Sequence, residues 1–188
     1  MIETDCLPVL EGRRILLRWL TERDLDALFA IFSHDEVMRF WSEPAFADRT
    51  RARRLLDRIH DGFRRKTLFQ WGVVLKDGED VPIGTCTLSR LDAANRRAEI
   101  GFVLNRPFWG EGYMSEALRV LLDFAFGPLN LHRIEADVDP RNGPSLRLLR
   151  RLGFRSEGHL RERWLVNGEA QDSLFLGLLR REWLADRD

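Results

Sequence analysis

Three observations predict an α/β fold for this 188-residue chain. Segments of strand character alternate with segments of helical apolar spacing along its length. Two glycines one residue apart, Gly110 and Gly112, stand directly before an amphipathic run. Near the end, an Asn167-Gly168 pair joins two strand-like stretches, a strong hairpin signal. With 44% apolar residues, six Trp and 12 Phe, the composition supplies a core. The length suits one domain, residues 1–188 with a core from about 13 to 180.

Taken in order, "RRILLRW" (13–19) reads as a strand, and Thr21-x-x-Asp24 resembles a capping box before Leu25, Leu28, Phe29 and Phe32 at helical spacing. "FWSEPAF" (40–46) is an aromatic loop broken by Pro44. A second helix is expected over 48–66, with Leu55, Leu56, Ile59 and Phe63 on one face. Residues 68–75, 81–91 and 96–104 read as three strands, the first two joined by a turn at "KDGED". After the glycine loop comes a helix whose stripe is Ala117, Leu118, Leu121, Leu122 and Ala125. A strand (132–139), a helix (142–154) and the terminal hairpin complete the chain.

Thirty basic and 30 acidic residues cancel, so net charge points to neither nucleic acid nor an acidic partner. Cys6 and Cys86 lie far apart with no C-x-x-C, which argues against a disulfide framework and a zinc site, and no metal is expected. No apolar run of about 18 residues and no leader pattern is present, so no membrane association and a cytoplasmic location are expected.

The glycine loop is the main chemical signal. A helix N-terminus presents unpaired N–H groups, and glycines lacking Cβ let a pyrophosphate approach the amides of 110–114. A bland strand-to-helix turn is the rival reading. Two nucleotide motifs are excluded. A Walker A loop would need Lys-Ser/Thr where Tyr113 and Met114 stand, and G-x-G-x-x-G would need glycine at Ser115.

"AEIGFVL" with "NRPFWGEGYMSEAL", then N-x-x-S-x-x-L-x-x-x-L-G-F and "EGHLRERWLVNGEAQD", resembles the GNAT superfamily of acetyl-CoA-dependent N-acetyltransferases. More narrowly, it is similar to the RimJ/RimL branch of ribosomal-protein N-terminal acetyltransferases. The resemblance implies a mixed, twisted sheet that splays between its fourth and fifth strands, with helices on both faces. It implies acetyl-CoA as cosubstrate and direct attack by an amine in a ternary complex. Phe102, Val103 and Leu104 would offer backbone groups to pantetheine, with the oxyanion donor near Val103. Gly110, Glu111, Gly112, Tyr113 and Met114 would hold the pyrophosphate. Asn142 and Ser145 match the branch's N-x-x-S; Asn142 also reads as a helix N-cap. Ser145 is the group expected nearest the thiol.

The pattern departs from the superfamily at Pro107, and at Leu149 and Trp164, where relatives carry a tyrosine and a carboxylate. The remaining candidates for the base are Glu99 and Asp137, with Asp172 behind them. Each could equally be an ion-pair partner. Phe40 and Trp41 are expected to contact the acceptor. Cys86 reads as core, the four histidines as surface or capping residues, and Arg147, Arg150 and Arg151 as a solvated basic face or a 3′-phosphate contact. The segment 49–66 carries eight basic residues and reads as solvated, with docking to an acidic partner as the rival. The expected acceptor is a protein N-terminal α-amine or another low-pKa amine, with no direct nucleic-acid contact and a homodimer left open. The alternatives are a polyamine or aminoglycoside acetyltransferase, or a catalytically weak acetyl-CoA sensor domain.

Overall fold

In the computed structural model, which describes residues 5–185, the alternating segments pair into an eight-stranded sheet of order β1-β2-β3-β4-β5-β6-β8-β7. The strands are β1 (Leu10–Glu11), β2 (Ile15–Trp19), β3 (Leu68–Leu75), β4 (Gly84–Asp92), β5 (Arg97–Leu104), β6 (Arg133–Val138), β7 (Arg155–Val166) and β8 (Glu169–Leu179). The helices are α1 (Leu25–Phe32), α2 (Asp35–Met38), α3 (Arg49–Arg64), α4 (Tyr113–Phe126), α5 (Gly143–Arg151) and α6 (Arg180–Ala185). All pairings are antiparallel except β5 with β6. The short β1, α2 and α6 were not expected from sequence. The domain span 1–188 takes in residues 1–4 and 186–188, which lie outside the described residues.

Local chemistry explains the main elements. Asp48 caps α3 by accepting from the Thr50 and Arg51 N–H groups, and α3 buries Ala52, Leu55, Leu56, Ile59 and Phe63. Each such large side chain contributes about 1.5–3 kcal/mol of burial. Ala52, Leu55, Leu56 and Ile59 close one core cluster with Leu28, Ile31 and Phe32 of α1, while Phe63 packs into the other. The other cluster joins Leu118, Leu121 and Leu122 of α4, Leu149 of α5, and Trp71 and Val73 of β3. α5 ends as its Leu-Gly-Phe sequence suggests. Gly153 takes φ +90°, and the N–H groups of Gly153 and Phe154 donate back to the carbonyls of Arg150 and Leu149. No helix among the described residues is long and apolar enough to cross a membrane.

One buried ion pair ties the start of the fold together. Arg18 of β2 donates from Nη1 and Nη2 to Asp24 at 2.9 and 2.7 Å, and from Nε to Asp80 of the β3–β4 turn. Asp24 also accepts from the Thr21 N–H at 2.8 Å. Burial works to raise the Asp24 pKa, but the Arg18 and Thr21 bonds outweigh it and hold the carboxyl below its usual range.

Asp24→Asn leaves a buried guanidinium short of its counter-charge and should cost about 3 kcal/mol, read from the guanidinium chloride midpoint. Because the folded pKa is depressed, this stabilisation is fully present above the unfolded value of about 3.9. It is lost as pH falls through the lower folded value, so variant and wild type should converge in acid. A constant gap down to the acid transition would show that charge is not the cause.

Candidate active site

β5 and β6 hold register over only three residue pairs, Arg97 with Arg133, Ala98 with Ile134 and Glu99 with Glu135. Beyond them the strands part. Because of β1, this opening lies between the fifth and sixth strands, at the place expected between the fourth and fifth. Asn105 donates its N–H to the Ile83 carbonyl at 2.8 Å. Strand alternation therefore turns the peptide groups of Val103 toward Thr85 of β4, and those of Phe102 and Leu104 toward the opening. Around Val103, the backbone N–H groups turned into the opening are thus those of Phe102 and Leu104. The Leu104 carbonyl is taken by the Trp109 indole N–H at 2.7 Å.

A cavity of about 810 Å³ runs from this edge past the glycine loop. Gly110 and Gly112 take φ +85° and +79°, left-handed values that other residues adopt at a cost. They, Met114 and Ser115 line the cavity at the N-terminus of α4. Glu111 and Tyr113 do not line it: the Glu111 carbonyl accepts from Arg14, and the Tyr113 ring lies under the Arg14 guanidinium. Arg39, Arg119, Arg147 and Arg151 also line the groove. Among the described residues none of these four has an ion-pair partner. An anion-binding helix end beside four uncompensated cations fits a polyphosphate ligand such as coenzyme A. Arg150 does not line the groove.

A second cavity, about 480 Å³, lies on the other side of the opening. Phe40, Trp41, Phe102, Asn142 and Ser145 line both cavities and form their junction. Trp41 is held edge-on to Phe32. Asn142 Oδ1 accepts from the Ser145 N–H at 3.2 Å, so the expected cap is made.

Five carboxylates line this second cavity, and each already has a basic partner. Glu99 meets Arg90 at 3.0 Å, Asp137 meets Arg163 at 3.0 Å, and Glu43 meets Arg58 at 3.2 Å. Asp139 meets Arg141, and Asp172 meets His159 at 2.8 Å. Two irregularities build the pairs. β4 carries an extra residue between Ser89 and Asp92, and there Arg90 takes φ +51°, which re-aims its side chain at Glu99. In β7 a longer bulge opposes Asp172, whose Oδ1 accepts from the Glu162 N–H at 2.8 Å. Burial raises the Glu99 pKa; Arg90 opposes the rise and the nearby Asp137 charge adds to it. The Glu162 N–H and His159 lower that of Asp172.

Of the residues named from the sequence, Phe40, Trp41, Phe102, Asn142 and Ser145 meet at the junction, and other lining residues were not named. Arg90 carried no motif, and Trp109, although inside the glycine-loop stretch, was given no role. Ser173, on β8 in the wall of the second cavity, is 1% exposed, and its hydroxyl has no partner among the described residues. Cys86 is fully buried against Met114, and burial raises its thiol pKa far above the ordinary value, as a core residue requires.

Residues 14–155 match the family described as acetyltransferase (GNAT) domain. The chain is 37% identical to an uncharacterized N-acetyltransferase, p20, of Bacillus licheniformis, over 94% of this chain and 99% of the relative. It is similar to the solved spermidine N-acetyltransferase of Vibrio cholerae in complex with CoA and spermine, at 25% identity and TM-score 0.80, covering 91% and 98% of the two chains. It is also similar to Mycobacterium smegmatis RimJ in complex with CoA-disulfide, at 26% identity and TM-score 0.81, covering 95% and 94%.

A Cβ on Gly112 would stand 3.4 Å from Arg14 Nη2, so an indole there must displace the arginine and strain a left-handed residue. Gly112→Trp should weaken acetyl-CoA binding by about tenfold or more, the equivalent of about 1.4 kcal/mol or above, in calorimetry on a variant with unchanged circular dichroism. Undiminished affinity would remove the loop from the cofactor site.

Proposed function

The chain belongs to the GNAT acetyltransferase family, as an acetyl-CoA-dependent N-acetyltransferase, and from that premise we propose that it acetylates a single low-pKa primary amine, an α-amino group at a peptide or protein N-terminus, in the manner of RimJ/RimL-type enzymes. The observation that carries this reading is the charge pairing of the acceptor cavity. A polyamine brings a second ammonium, and four of the five carboxylates in the wall are already paired with arginines of the chain, while Asp172 is engaged by the His159 ring and the Glu162 N–H. Deprotonation energetics agree. At pH 7.4 a lysine amine of pKa about 10.4 costs about 4 kcal/mol to neutralise, an α-amine near 7.8 only about 0.5 kcal/mol. The acetyl-CoA requirement supports a cytoplasmic setting.

In this reading acetyl-CoA supplies an acetyl group activated as a thioester. The Phe102 N–H, turned into the opening, is the donor for charge developing on the acetyl oxygen. Gly110, Gly112, Met114 and Ser115 hold the pyrophosphate, and the groove arginines meet the remaining phosphate charge. Phe40 and Trp41 wall the junction and exclude water from it. Glu99 is the base: its raised pKa suits proton uptake from an ammonium better than an ordinary carboxylate does. Asp137 sustains that rise by its charge, Ser145 sits nearest the thiol, and water protonates the departing thiolate. The Ser173 hydroxyl, which has no partner among the described residues, offers the acceptor a hydrogen bond.

Two measurements test this. A peptide with a free N-terminus and no lysine should be acetylated faster than spermidine and than an N-blocked lysine peptide. A faster rate on spermidine overturns the acceptor assignment in favour of a polyamine. Because Glu99 must be ionised to act and its pKa is raised, the acidic limb of kcat/KM should fall off above the ordinary carboxylate range. Glu99→Gln should lower kcat by about a hundredfold and abolish that limb. A variant with wild-type kcat would leave the proton to Asp137 or to water.

A further inference from the structure

The peptide between Glu111 and Gly112 lies at the centre of the cofactor loop, and nothing in its own sequence holds it in one orientation. Glycine on its C-terminal side visits mirror-image conformations at little cost, so this peptide can turn over unless something outside the loop fixes it. Arg14, the residue before β2, is that external contact. Its Nη1 donates to the Glu111 carbonyl at 3.1 Å, and its guanidinium lies 4.7 Å from the centre of the Tyr113 ring. Arg14 is itself held twice by Glu116 of α4. Nε donates to Oε2 at 3.0 Å, and the Arg14 backbone N–H donates to Oε1 at 2.7 Å. Burial works to raise the Glu116 pKa, yet the Arg14 bonds outweigh it and keep the carboxyl below its usual range, so this anchor is ionised at neutral pH.

In a trans peptide the carbonyl and the following N–H point in opposite directions. A carbonyl drawn toward Arg14 therefore sends the Gly112 N–H to the opposite side of the loop, and Gly112 borders the cofactor groove. We propose that Arg14 is a positioning residue for cofactor binding: by holding the Glu111 carbonyl on the outer side of the loop, it keeps the Gly112 N–H presented to the pyrophosphate. Arg14 does not line the groove, so its charge acts through the loop and not by contact with the ligand. The inference rests on reading the groove as the pyrophosphate site.

The test compares acetyl-CoA with S-acetylpantetheine, which has the same thioester and no pyrophosphate, using the fastest amine of the acceptor panel. Arg14→Ala should raise KM for acetyl-CoA about tenfold, the effect of one charged hydrogen bond, with kcat little changed. Its kcat/KM for S-acetylpantetheine should stay at the wild-type value. Arg14→Lys keeps the charge and a donor and should recover part of the loss; it carries the test if Arg14→Ala lowers the melting temperature. Equal losses on both cosubstrates, or an unchanged KM for acetyl-CoA, would overturn the proposal. If the wild-type enzyme uses the two cosubstrates equally well, the groove is not a pyrophosphate site and both readings fall. A wild-type preference that survives intact in the Arg14 variants sinks only this one.

Discussion

The parting of β5 from β6 after three residue pairs is the constraint on which the site depends. A strand in the middle of a sheet normally has its peptide groups satisfied on both sides, and buried unsatisfied groups are costly. Here β5 keeps its bonds to β4 and loses its other partner along Phe102 and Leu104. One carbonyl is recovered by Trp109. What remains is an internal edge that an extended ligand can complete, a strand-like addition placed in the middle of the sheet instead of at its border. The loop leaving β5 and the loop leaving β6 both emerge at this gap. The N-termini of α4 and α5 consequently flank the same opening.

The two cavities that meet there differ in electrostatic finish. On the cofactor side, four arginines have no ion-pair partner among the described residues. On the side proposed for the acceptor, four of the five carboxylates meet an arginine and Asp172 meets His159. The pairing costs backbone regularity: Arg90 and Glu162 both sit at positive φ in strand irregularities. Such strain persists only where surrounding structure over-determines it, and it collects at working sites. The aromatic pair Phe40 and Trp41 separates the two regimes.

Much of the fold was legible because its signals are local. Asp48 before an amphipathic run, the unbroken strand 68–75, the Asn142 cap and the Leu-Gly-Phe stop each depend on neighbours a few residues away. The glycine spacing likewise announced bare backbone at the start of a helix, though not the left-handed values it takes. The parts that stayed hidden are non-local. Which residue of 102–104 turns its amide into the gap depends on register with β4, and a one-residue shift reverses the answer. The match of Arg90 to Glu99 needs a bulge, and that of Arg163 to Asp137 needs β7 folded back on β8. The short β1, α2 and α6 have too few residues to show a period.

The contrast between unmatched arginines and matched carboxylates has a kinetic consequence. Uncompensated charge projects a field into solvent over about 8 Å at physiological ionic strength, whereas a close ion pair presents only a dipole that fades much sooner. Capture of the anionic cosubstrate is therefore steered from a distance and slows as salt rises. On the proposed assignment of the second cavity, arrival of the amine is not steered in this way, and its selection falls to shape and hydrogen bonding once it is inside. The enzyme's salt sensitivity is thus a property of one of its two substrates, set by which side of the gap left its charges open.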